Sequence, residues 1–163
     1  MVPWPSSGVK EVGPMATIPE LKKQYEDLGR GLPVKSEQAV DAQCLLVFRY
    51  EYPDQESRVT VETDEFTAVC PWTGLPDYGT LKILYVPGQS CIELKSLKYY
   101  LLSYRDVGIV QEHAANRILK DLVAACRPRS MMVTLDYRLR GGIHTSVSVN
   151  YAGDGAEDAP DKN

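Results

Sequence analysis

Two amphipathic helical stripes follow one another in this chain, with strand-like runs on either side and none between them. The first, about residues 93–105, carries Leu94, Leu97 and Leu101 at i, i+3 and i+7. The second, about 109–126, carries Ala115, Ile118, Leu119, Leu122 and Cys126 on one stripe. A doubly wound parallel sheet needs strands and helices to alternate, so this order excludes it. Before the helices come three runs rich in β-branched and aromatic residues, at 43–51, 58–66 and 79–87. The stretch from Tyr52 to Ser57, with its Pro-Asp, reads as a hairpin link between the first two. After the helices, 130–140 and 143–151 read as a hairpin turning at Gly141-Gly142. The expectation is an α+β fold: an antiparallel sheet backed on one face by two consecutive helices.

A chain of 163 residues is long enough for one domain with a proper core. Residues 1–40 read as an N-terminal arm, rich in Pro, Gly and Ser at first, with a short helix at 18–29 that has Pro19 in its first turn. Residues 41–152 form the single domain, and 153–163 are a small, acidic tail. The net charge of −4 shows no basic field for nucleic acid, so no direct nucleic-acid binding is expected. No apolar run reaches the roughly 18–20 residues of a membrane span, and the N-terminus lacks the order of a signal peptide. A cytoplasmic protein is expected. Its four cysteines, Cys44, Cys70, Cys91 and Cys126, show no C-x-x-C and no paired histidines, so no metal site is expected and the thiols stay free.

One cysteine has an unusual setting, Phe66-Thr-Ala-Val-Cys70-Pro-Trp-Thr-Gly-Leu-Pro-Asp77. A short apolar strand ends at a thiol. Pro71 stops regular pairing, and Gly74 and Pro76 turn the chain before a carboxylate arrives. A thiolate that attacks an electrophilic carbon and an acid that moves the proton are the parts of covalent catalysis. A buried structural cysteine near a surface aspartate fits the same segment.

Glu112 extends the second helical stripe by one step, as 112, 115, 119, 122, 126, so its carboxylate is expected to point inward at the helix N-terminus. An inward carboxylate needs a polar partner. A glutamate that swings out from a first turn is the alternative. In Glu93-Leu-Lys-Ser-Leu-Lys-Tyr-Tyr100, Lys95 and Lys98 sit at i, i+3 on the face opposite the leucines. They fit either a bound anion or a solvated face. Arg140-Gly141-Gly142 offers a second anion contact or a tight turn. His113 and His144 are lone histidines, and no G-x-G-x-x-G or Walker A pattern marks a nucleotide fold.

Taken together, the Cys70-to-Asp77 segment, the Glu93-to-Tyr100 segment and Ser103-Tyr-Arg105 resemble the unimodular form of the QueF family, the NADPH-dependent nitrile reductases of the queuosine pathway. The resemblance covers about residues 58–151. It implies the tunnelling fold (T-fold), whose sheets assemble side by side into rings, and a homo-oligomer, as a decamer of two stacked pentamers with sites between subunits. It implies that Cys70 adds to the nitrile of 7-cyano-7-deazaguanine as a covalent thioimide, and that Asp77 is the acid/base. Glu93, Lys95, Ser96 and Lys98 match the motif associated with NADPH, Glu93 being placed at the substrate and Arg140 and Gly141 with the cofactor group. Glu112 matches the glutamate that grips the guanine-like edge, where a carboxylate accepts from two adjacent donors. Gln111 stands beside it, where some members carry a histidine, and is also placed at the substrate.

Three other readings share parts of this pattern. A QueF-like amidinotransferase of archaeosine formation would use the same thioimide with ammonia. A zinc-dependent cyclohydrolase or pterin enzyme of the same fold would need Cys and His ligands close in space. A non-catalytic T-fold module would hold a purine-like ligand without turnover.

Overall fold

The computed structural model describes residues 17–20 and 33–153. Most of the expected N-terminal arm and its helix, and all of the acidic tail except Gly153, lie outside these. The chain divides into two compact units, Met1–Leu32 and Pro33–Asn163. In the first, residues 18–20 are helical, and the Thr17 amide and hydroxyl both donate to the Glu20 carboxylate at 2.7 and 2.8 Å. The Glu20 side chain thus reaches back to Thr17, the residue before the helix and two ahead of Pro19, as the reciprocal half of a capping box. No helix among the described residues is long and apolar enough to cross a membrane.

Among its described residues, the second unit holds six strands and two α-helices. They are β1 (Val47–Arg49), β2 (Val59–Val69), β3 (Pro76–Val86), β4 (Ser90–Ile92), α1 (Leu94–Leu102), α2 (Gln111–Cys126), β5 (Ser130–Tyr137) and β6 (Ser146–Ala152). The main sheet is antiparallel in the order β2-β3-β5-β6, and β1 pairs with β4 in a separate two-stranded sheet. The two consecutive helices and the closing β5–β6 hairpin agree with the expected α+β pattern. One expected pairing does not hold. β1 does not form a hairpin with β2; its partner is β4, with Phe48 opposite Cys91. The Tyr50 amide donates to Gln89 O (2.9 Å) and the Glu93 amide to Leu46 O (2.9 Å), so the strap 46–50 is tied to the residues that lead into α1. The start of the expected first strand is instead a 3-10 turn, Ala42–Cys44, capped by Asp41.

Alternation along the strands explains the core. On β3, Asp77, Gly79, Leu81, Ile83 and Tyr85 face inward, and on β5 Met131, Val133, Leu135 and Tyr137 do. α2 packs on β5 and β6 through Ala114, Ala115, Ile118, Leu122 and Cys126. Each fully buried Leu, Ile or Val on these faces contributes about 1.5–3 kcal/mol. The outer face is more polar, with Lys82 and Glu62 paired at 3.8 Å and Thr134 and Ser148 bonded at 3.0 Å. The helices are also locked to each other by polar groups. Tyr100 donates to Asp121 (2.9 Å), lies 2.8 Å from the Tyr104 hydroxyl, and Arg117 donates to the same Asp121 oxygen at 2.7 Å.

Residues 33–40, grouped with the arm by their position ahead of the first strand, belong to this second unit. Lys35 bridges Val107 in parallel and Val40 is buried. That short contact runs beside the functional site.

Candidate active site

β2 and β3 form a hairpin whose tip is the Cys70 loop. Ala68 lies opposite Asp77 and Val69 opposite Pro76. The Cys70 amide donates to Leu75 O (2.9 Å), and its carbonyl accepts from the Gly74 amide (2.8 Å). Gly74 has φ 68°, a left-handed conformation that a residue without Cβ adopts freely. Thr73 Oγ1 accepts from the Leu75 amide at 3.3 Å, which orients the hydroxyl inside the loop. This setting holds the Cys70 thiol below its usual range. The main cause is the Thr73 hydroxyl; burial opposes it, and the amides of Thr73 and Trp72 and the Arg140 guanidinium assist. A thiol with depressed affinity for its proton is a prepared nucleophile.

Asp77 occupies the first inward position of β3, in the same row as Leu81 and Ile83, and is only 4% exposed. Burial pushes its carboxyl up, and the charge of Arg140 partly counters this. Arg140 Nη1 is ion-paired to Asp77 Oδ1. The contact is one of charge, because that oxygen meets no correctly aligned hydrogen-bond donor among the described residues. A buried acid pushed toward its neutral form suits proton transfer.

Glu112 does not point into the core. It is exposed in the first turn of α2. At 100° per residue it lies about 120° from Ile118, the centre of the buried stripe, whereas Gln111 lies about 20° from that centre. Gln111 is accordingly half-buried. Glu112 still belongs to the site region. The Tyr137 hydroxyl is held well above its usual range, mainly by burial, then by the charges of Asp77 and Glu112.

Backbone pairing ties α2 to the cysteine loop. The Val69 amide donates to Val107 O (3.0 Å) and the Ile109 amide to Val69 O (3.2 Å). Gly108 then donates to Lys35 O at 2.9 Å, so residues 106–109 are held between 34–35 and 69–71. A Cβ on Gly108 would lie 2.4 Å from Val34 Cγ1 and 3.3 Å from Pro71 Cα. Glycine is the residue that fits there.

The Glu93-to-Tyr100 segment divides into two kinds of residue. Glu93 is the N-cap of α1, accepting from the amides of Lys95 (2.8 Å) and Ser96 (2.7 Å). Ser96 is buried; its hydroxyl accepts from the Leu46 amide (2.9 Å) and donates to Glu93 O (2.7 Å). These two side chains are engaged in starting the helix and fixing it to the residues before β1. Lys95 and Lys98 are exposed, and Lys98 lies 3.6 Å from Glu65 of β2. Between α1 and β2 runs an apolar groove lined by Val61, Phe66, Leu94, Leu97 and Leu101, with Lys98 and Arg105 among its polar walls. Glu65 and Cys70 are five residues apart, roughly 16 Å along an extended strand. Within one chain the lysines and the thiol are therefore not neighbours, whereas Cys70, Asp77 and Arg140 are. Gly141, at φ 57°, forms the tip of the Arg140 turn and has no neighbour within 4 Å of a Cβ position. His113 lies 3.6 Å from Glu37, and His144 is 2.7 Å from Asp136.

Two residues that border the site had weak signals in the sequence. Tyr137 ends the inward row of β5 opposite Gly79, whose missing Cβ makes room for its ring. Alternation marks it as buried but not as adjacent to Asp77. Thr73 stands inside the cysteine segment, where its polarity three residues after a nucleophile is the only hint.

Comparison with known proteins identifies the family. Residues 76–155 match the family model described as QueF-like protein. The NADPH-dependent 7-cyano-7-deazaguanine reductase of Caldicellulosiruptor bescii is 54% identical over 112 residues, 69% of this chain and 86% of the relative. That of Chlorobaculum tepidum is 50% identical over 113 residues, covering 97% of the relative. A crystal structure of the archaeosine synthase QueF-Like, in the apo form, aligns with TM-score 0.56 and 25% identity over 61% of this chain and 97% of that one. The T-fold is shared with that structure, and half or more of the aligned positions are shared with these two reductases. The chain belongs to the family of NADPH-dependent 7-cyano-7-deazaguanine reductases, the QueF-like proteins.

Proposed function

We propose that this chain reduces the nitrile of 7-cyano-7-deazaguanine to the 7-aminomethyl group through a thioimide on Cys70, in tRNA queuosine synthesis. The observation that carries the reading is the hairpin tip itself. It holds a thiol biased toward thiolate and a buried acid biased toward its protonated form one strand apart. The Cys70 thiolate adds to the nitrile carbon, one C–N π bond opens, and Asp77 delivers its proton to the nitrile nitrogen. The product of this step is a neutral thioimide. When bound, NADPH supplies the hydrides, one per cofactor and two per nitrile. Asp77 also supplies or relays the protons that each reduction requires at nitrogen. Between the two hydrides the C–S bond breaks, and Cys70 leaves as thiolate to give the imine that the second hydride reduces.

Glu112, exposed at the start of α2, accepts from the two adjacent donors of the guanine-like edge, and Gln111 beside it adds a neutral partner. Lys95 and Lys98 are free of the core and suit the phosphates of the cofactor, with the apolar groove between α1 and β2 beside them. The separation of the lysines from Cys70 within one chain fits a homo-oligomer in which neighbouring subunits complete each site. Exposed Trp72 and Leu75 in the cysteine loop, and Leu139 and Ile143 around the Arg140 turn, offer apolar surface for such a neighbour. A decamer of two stacked pentamers is the assembly proposed. The free cysteines suit a reducing cytoplasm.

The test is a spectrophotometric assay with 7-cyano-7-deazaguanine. Oxidation of two NADPH per nitrile supports the reductase, and tight nitrile binding without oxidation contradicts it. Formation of an amidine with ammonia and no NADPH loss would instead indicate the amidinotransferase reaction.

A further inference from the structure

We propose that Arg140 is a movable counter-ion of Asp77: an arriving phosphate-bearing ligand draws the guanidinium away, and Asp77 then takes up one proton. This deepens the proposed function and rests on its assignment of Cys70 and Asp77 as the reacting pair.

The two partners of the ion pair have opposite surroundings. The Asp77 side chain is 5% exposed and that of Arg140 is 43% exposed. One charge belongs to the interior and the other faces solvent. Their contact lacks an aligned hydrogen bond at Oδ1, and the guanidinium also reaches the Cys70 thiol, so it is shared between two acids at the hairpin tip. Arg140 begins a turn closed by its own backbone bonds with Ile143, at 3.0 and 2.9 Å. Gly141 and Gly142 at the tip have φ 57° and 82°, and nothing lies within 4 Å of a Cβ position on either. Moving this turn disrupts no core packing. A phosphate group is a strong competitor for such a cation, because it carries more charge and accepts two parallel N–H bonds.

Among the described residues, the groups that face Asp77 from other elements supply no replacement cation. Cys70 stands at the end of β2, and Tyr137 on β5 lies within reach of the charges of both Asp77 and Glu112 of α2. All of these are acids. His144, past the same turn, is engaged with Asp136 at 2.7 Å. Withdrawal of Arg140 leaves a buried carboxylate among acids, and protonation follows. Ligand arrival would thereby reload Asp77 with the proton that reduction of the thioimide requires at nitrogen.

The test follows the Asp77 carboxyl directly, by 13C NMR of protein labelled at aspartate Cγ. The resonance is assigned as the one missing from Asp77→Asn. The expected titration midpoint in Arg140→Gln is about one pH unit or more above that of the unsubstituted protein, with Arg140→Lys in between. Inorganic pyrophosphate and NADP+, added separately, are expected to raise the unsubstituted midpoint toward the Arg140→Gln value and to leave Arg140→Gln unmoved. Equal midpoints in the presence and absence of Arg140 would overturn the counter-ion role. A midpoint indifferent to both anions would overturn the release. A response to pyrophosphate alone would support release and identify a free phosphate group, not the dinucleotide, as the ligand. Absence of NADPH oxidation in samples whose carboxyl responds as expected would fault the reductase reading and leave the role of Arg140 standing.

Discussion

Val69 and Gly108 are bridged in parallel, one residue before Cys70 and three before the first residue of α2. The thiol and the helix that presents Glu112 are thus placed by backbone pairing, which does not depend on side-chain rotamers. A site built this way keeps its geometry when exposed side chains move.

Gly108→Val should damage the site from a distance. The new side chain meets Val34 and the Pro71 backbone. The expected cost is about 1–3 kcal/mol of stability, as for an overpacked core, together with a large loss in kcat/KM. Urea unfolding and steady-state kinetics measure both. Stability and turnover equal to those of the unsubstituted protein would show that the Gly108 contact is not needed.

Thr73→Val should raise the pH at which Cys70 ionises, because the main group that lowers its thiol is removed. For every pH unit by which ionisation moves up, alkylation at neutral pH slows by about tenfold. Thr73→Ser should restore the rate. The rate of iodoacetamide labelling at Cys70, followed by peptide mass spectrometry across pH, gives the answer; superimposed profiles for Thr and Val would contradict it.

Asp77→Asn should lose turnover and keep or gain stability. The folded carboxyl is raised above its ordinary 3.8, so its contribution to stability is fully present below that pH. It is lost as pH rises through the folded value, and at pH 7 the ionised group opposes folding. Asparagine removes this dependence. The expected gain is about 2–4 °C in Tm per kcal/mol at pH 7, shrinking toward pH 3. A substantial Tm loss at pH 7 would mean that Arg140 fully compensates the buried charge.

The fold's order was legible because each element carries its own period: the leucines of α1, the stripe of α2 and the alternation of β3 and β5. The partner of β1 was not, since a three-residue strand pairs with residues more than forty positions away through amides that leave no mark in side-chain pattern. The approach of Asp77 to the Cys70 loop was legible because Pro71, Gly74 and Pro76 force the chain back within seven residues, which brings Asp77 beside Ala68. Glu112 misled through spacing alone. A three-residue step is also compatible with a helix flank, and only the neighbours of the first turn decide which side is covered. Glu93 and Ser96 show the reverse: residues at motif positions whose polar groups are consumed by a helix cap and a strap, which single-sequence spacing does not distinguish from ligand contacts. Arg140 was read beside a phosphate from its glycines; its contact with Asp77 depends on where the β5–β6 turn folds over the sheet end.

The decisive measurement is whether 7-cyano-7-deazaguanine, mixed with the protein without NADPH, forms an absorbing adduct at Cys70. A thioimide band and a matching mass increase on the Cys70 peptide are expected, both absent in Cys70→Ala, which should also lack turnover. Persistence of the adduct in Cys70→Ala, or full turnover by that variant, would contradict the role of Cys70 as nucleophile.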